Sequence, residues 1–228
     1  MTTGGGPGRE TARLLDSPVL GLLPWIIFAV VVGPDRFELG VGLSLACAVA
    51  VVLAGRIWRP HSSWKLLEVC DVAFFGVLAV VGALATPGAL RWLETYAGEI
   101  ANLALVVIAF GSMALRSPFT LPYAREQVPR AHWDSPVFLR TNYLITGVWG
   151  AAFLVAAVAG GYADLVQHDP DNIWTGWIVQ IAAIVVALRF TRWYPVPVGG
   201  PGAAGGPPGT PPANEEWWGP PPAPRPAP

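Results

Sequence analysis

The chain is short of charge. Only 13% of its 228 residues are Asp, Glu, Lys or Arg, where a soluble domain carries about 25%. It is also short of cysteine. Cys47 and Cys70 are the two present, both in or beside apolar stretches and with no CxxC, so neither a disulfide framework nor a zinc site is indicated. The three histidines, His61, His132 and His168, fall in separate loops at no metal-binding spacing. No GxSxG, P-loop or HExxH occurs, and no nucleophile stands with a base. The reading is therefore not an enzyme, with no cofactor and no metal. A net charge of −1 offers nothing to draw nucleic acid.

What the chain has is apolar length. Hydrophobic residues make up 53% and the mean hydropathy is positive, the composition of a membrane protein. Six apolar segments are expected at 18–33, 37–55, 69–88, 99–115, 137–163 and 173–190, each near the roughly 20 residues of a membrane span. Only helices satisfy their own backbone in lipid. The fold class is all-α, a polytopic bundle of six transmembrane helices over residues 18–194. A short segment, 1–17, precedes it. A disordered Pro/Gly-rich tail, 195–228, follows it and has no apolar periodicity to bury. Ser17-Pro18 and Ser135-Pro136 each read as an N-cap followed by a first helical residue.

Basic residues set the orientation. Arg9, Arg13, Arg56, Arg59, Lys65, Arg116, Arg125, Arg130, Arg140, Arg189, Arg192 and Arg225 fall on one side of a six-span topology, and only Arg36 and Arg91 on the other. That asymmetry places both termini in the cytoplasm, and the expected location is the plasma membrane.

The longest polar interruption is the connector 116–140, RSPFTLPYAREQVPRAHWDSPVFLR. Arg116, Arg125, Arg130 and Arg140, with Tyr123 and Trp133, suit a surface at headgroup level. That surface serves either as a lipid anchor or as a docking site. Residues 123–128 predict a short interfacial helix between Pro122 and Pro129, and Pro118 is expected to end the fourth span. Inside the bundle the candidates are Asp71, Asn102 and Gln180. A carboxylate in a span is a functional hypothesis by default, while amides mostly join helices. Asp71, three residues into its segment, is expected near the interface and within reach of Lys65 or a connector arginine. Together the three polar residues suit an alternative reading, a small transporter or ion-coupled permease. Small-residue ladders, Gly42-Ala46-Ala50-Ala54 and Ala152-Ala156-Gly160, fit within-chain packing or a homodimer.

Several features together carry a resemblance. Leu22-Leu23-Pro24-Trp25-Ile26-Ile27-Phe28 opens the first span, and Arg116-Ser117-Pro118-Phe119 follows the fourth. Trp133 and Arg140-Thr141-Asn142 open the fifth, with Trp149 and Phe153 beyond, and Trp174 opens the last. The layout resembles the bacterial intracellular septation protein A family of small inner-membrane proteins, over residues 18–193. It departs from that family in its Asn-to-Trp spacing, its YAREQVP segment and its tail. The resemblance implies a role in cell-envelope maintenance or division through contacts with envelope or division membrane proteins, and no catalytic residue.

Overall fold

The computed structural model describes residues 18–58, 65–163, 166 and 173–194, and among these all regular structure is helical. The segments expected at 1–17 and 195–228 lie outside the described residues.

The first apolar segment forms two pieces, α1 (Pro18–Gly21) and α2 (Leu23–Val31). Pro24 has no N–H for the carbonyl one turn back, so the helix breaks at Leu22. Next come α3 (Phe37–Trp58), α4 (Leu66–Leu84) and α5 (Pro87–Ala114). The connector holds α6 (Leu121–Gln127) and a 3-10 turn (Arg130–His132). The chain then enters α7 (Pro136–Tyr162) and, after a π-helical turn at Trp174–Ile178, α8 (Val179–Trp193). Four helices, α3, α4, α5 and α7, are long and apolar enough to cross a membrane. The pieces α2 and α8 are shorter than a span taken alone.

The third and fourth segments shift from their expected bounds. Residues 85–86, expected inside the third, form the link between α4 and α5. The α5 helix begins twelve residues before the expected 99 because Thr86 caps it. The Thr86 hydroxyl accepts from Ala89 N at 3.4 Å, and Pro87 occupies the first turn. The expected start at Ser135-Pro136 holds, with the Ser135 hydroxyl accepting from Phe138 N at 3.2 Å.

The other end of α5 corrects a second expectation. The helix stops before Pro118 is reached. Arg116 takes a left-handed conformation, φ 58°. Its N–H donates to Met113 O at 3.0 Å, and Ser117 N–H donates to Ser112 O at 2.9 Å. This paired closure of the last carbonyls usually recruits glycine.

The helices pack as two groups of three. In the first, α2, α3 and α4 are close neighbours; in the second, α5, α7 and α8 are, while α4 and α5 touch lightly despite their two-residue link. The most buried helix is α7. Half of its apolar window is covered, against 28% for the other three long helices, and it carries Trp149 and Phe153 in the core. The outward faces are apolar, with Val77, Val80, Val107, Val158 and Val186 all well exposed. The Ala152-Ala156-Gly160 ladder is buried within the chain, whereas Gly42, Ala46 and Ala50 face outward.

Candidate functional site

The connector folds back into one end of the bundle. Phe119, Thr120, Leu121 and Tyr123 are all buried. Ser112 Oγ accepts from Phe119 N at 3.1 Å. Thr120 Oγ1 lies 2.8 Å from Thr146 Oγ1 and donates to Asn142 O at 3.3 Å, while Asn142 Nδ2 donates to Phe138 O at 2.9 Å. These bonds fasten the connector to α5 and α7. Each hydroxyl is taken up locally, as burial demands.

Tyr123 reaches the other way, into the first three-helix group. Its hydroxyl lies against Gly21, where an added Cβ would meet it at 2.6 Å and Leu67 Cδ2 at 2.9 Å. Only glycine leaves that space. The hydroxyl is buried with no hydrogen-bond partner. Burial holds the Tyr123 phenol well above its ordinary value, and Glu68, Asp71 and Glu126 push it the same way.

Lys65, the sequence's single lysine, sits just before α4 with its Nζ 4.8 Å from the Tyr123 ring centroid. It pairs with Glu126 Oε2 of α6 at 3.3 Å and Glu68 Oε1 of α4 at 3.7 Å. At 5% exposure this ion pair is screened far less than a surface pair. The connector is thus bound to both groups of helices.

One turn along α4 from Leu67 stands Asp71. It is 1% exposed and accepts a hydrogen bond from Trp25 Nε1 of α2 at 2.7 Å. It lies deeper in its helix than the three residues expected. The helix begins at Leu66, so Asp71 lies about 7.5 Å along it. Its bonded partner is an indole, and Lys65 is engaged by Glu126 and Glu68 instead. Beyond it, away from the connector, rings close the space. Trp25 stacks on Phe74 at 4.8 Å, Phe28 meets Phe75 at 5.4 Å, and Phe28 meets Phe37 at 6.5 Å.

On the connector's outer side the cations gather. The Arg125 and Arg130 guanidiniums lie 5.4 and 5.5 Å from the Trp133 ring centroid, and Trp133 Nε1 donates to Val128 O at 2.9 Å. Stacking of this kind uses the guanidinium face and leaves its edges free. Arg116, Arg130 and Arg140 are exposed. Among the described residues, the ion pairs are those of Lys65, and none involves these four arginines.

Asn102 and Gln180 meet elsewhere. Asn102 Nδ2 donates to Gln180 Oε1 at 3.4 Å. Glu99, one turn before Asn102, sets its carboxylate against Gly160, and Gln180 Nε2 lies within 3.4 Å of a Cβ placed there. Asp71 belongs to the separate Trp25 cluster. Sequence reasoning missed Glu68, Glu126, Thr120, Thr146 and Glu99, and it named Trp25, Lys65 and Asn142 without the partners they have here. One signal was available: Glu99 and Asn102 are three apart and share a helix face.

Comparison of the chain with protein-family models, curated proteins and solved structures returns no match. The resemblance to the septation family rests on its sequence features alone.

Proposed function

We propose that the chain is a non-enzymatic plasma-membrane protein that crosses six times with both termini cytoplasmic. Its cytoplasmic connector acts through protein contacts in envelope maintenance or division. In this reading the α1–α2 pair and the π turn with α8 supply the first and last crossings, and the twelve-to-two distribution of basic residues sets the orientation.

The observation that carries it is the connector's two-sided construction. Its inner side is fixed by Phe119, Thr120, Tyr123 and the Lys65–Glu126 pair. Toward its outer side Arg125 and Arg130 gather on Trp133, Arg116 and Arg140 at its two ends are exposed, and none of the four has a carboxylate partner among the described residues. Arg116 also occupies a backbone conformation that favours glycine, and such a residue at an exposed site points to use of its side chain. A rigid cationic face of this kind fits an acidic surface on a membrane-associated protein. The permease reading has less support, because Asn102 and Gln180 bond each other while Asp71 bonds Trp25.

The test is the double variant Arg125→Gln/Arg130→Gln. It is expected to insert in normal amount, to fail to complement a deletion strain and to lose co-purifying membrane proteins. Full complementation retires the proposal.

A further inference from the structure

Two unexplained facts stand one helical turn apart. Asp71 is a carboxyl group buried among apolar helices, with a neutral indole as its one described hydrogen-bond donor. Tyr123 carries a hydroxyl that is 2% exposed as a residue and has no partner. Leu67 and Asp71 share a face of α4, and the Tyr123 hydroxyl lies at the Leu67 level, on the connector side of Asp71. The axial offset is about 6 Å, four residues at 1.5 Å each.

Burying an unpaired hydroxyl costs free energy, and burying a carboxylate without a cation costs more. The Trp25 bond satisfies one carboxylate oxygen, and no hydrogen-bond partner meets the Tyr123 hydroxyl. Tyr123→Phe chemistry would fill the same space, and an amide would accept from Trp25 as a carboxylate does. A group that must at times be charged and at times neutral needs a carboxyl, and a hydroxyl beside it can both accept and donate a proton.

We infer that Asp71 is a proton-binding site inside the bundle, loaded from the connector end by way of the Tyr123 hydroxyl. In the transfer the hydroxyl oxygen accepts a proton from a water on the connector side and passes its own proton to a second water that spans the roughly 6 Å to Asp71 and releases one of its protons there. The O–H bond reformed on Tyr123 replaces the one broken, and the proton ends on an Asp71 carboxylate oxygen. Tyr123 is left neutral, and no redox partner is required. Access is one-sided because the Phe28, Phe37 and Phe75 rings close the far side.

Titratable groups face this site from each packed element. Cys47 of α3, Glu68 and Cys70 of α4, and Tyr123 with Glu126 of α6 all lie within its electrostatic reach. Trp25 supplies the contact from α2. Lys65, between Glu68 and Glu126, sits at the entrance rather than against Asp71. The inference does not depend on what the outer face of the connector binds.

The experiment is infrared difference spectroscopy on the full chain in lipid nanodiscs after pH jumps. The wild type is expected to show a titrating carboxyl C=O band that Asp71→Asn lacks. Trp25→Phe, which removes the indole donor, is expected to shift that band. Tyr123→Phe should slow its response about 100-fold, the low end of what a positioned proton carrier contributes. Persistence of the band in Asp71→Asn overturns the assignment. If Asp71→Asn does not fold, an unshifted band in Trp25→Phe overturns it equally. An unchanged rate in Tyr123→Phe overturns the route.

Discussion

Asn102 and Gln180, 78 residues apart, meet side chain to side chain at 3.4 Å. The bond joins α5 to α8 within the second three-helix group. It is long for a hydrogen bond, and both residues are only partly buried.

Gln180→Leu is therefore expected to cost no more than about 2 kcal/mol, within the range of interhelical amide bonds in membranes. Function should survive. Thermal unfolding in detergent beside a complementation assay checks both. A stably folded variant without function would return attention to a permease.

The Gly21–Tyr123 contact predicts a coupled pair. Gly21→Ala places a methyl group 2.6 Å from the Tyr123 hydroxyl and should cost about 1–3 kcal/mol through overpacking. Adding Tyr123→Phe removes the opposing oxygen and should recover much of that loss. A double-mutant cycle measures the coupling, expected at about 0.5 kcal/mol or more. Strict additivity would mean that the two sites do not touch.

Arg116→Gly should stabilise the fold by about 1 kcal/mol, because glycine takes the left-handed conformation without penalty. The same variant should complement less well than the wild type if the side chain works at the surface. Denaturation midpoints and complementation decide together. A stabilised, fully active Arg116→Gly would leave the arginine without a role.

Tyr123 predicts an alkaline signature. Its raised value in the folded state means that the neutral phenol's contribution to stability is complete below the unfolded value near 10. It is lost as pH rises through the higher folded value. Among the five tyrosines it should ionise last. Phenolate absorbance in Tyr123→Phe should lose the final step of the titration, and loss of the first step instead would contradict the burial.

The long helices were legible because hydropathy accumulates over many residues. Phe37–Trp58 and Pro136–Tyr162 follow directly from apolar runs bounded by turn and cap residues. The start of α5 was not, because Arg91, Glu94 and Glu99 make its first turns look polar. Those turns are helical all the same, and Glu99 finds its place against Gly160. The connector helix was expected at 123–128 and forms at Leu121–Gln127, but its inward side was not foreseen. Tyr123 reads as an interfacial aromatic until Gly21, about a hundred residues earlier, is seen to make room for it. Trp25 and Asp71 are 46 residues apart, and no local spacing announces that bond. Sequence periodicity reports which face of a helix is apolar; it does not report which helix will cover that face.

The tethering of the connector to both helix groups has a consequence for biosynthesis. Gly21, Lys65 and Asp71 leave the ribosome well before Tyr123 and Glu126. At about 5–20 residues per second, the roughly forty residues between the end of α4 and Tyr123 take about 2–8 seconds. During that interval the first three helices exist with their connector-side end uncovered. A chain that stalls or terminates before residue 123 leaves a product whose buried acid has never been roofed.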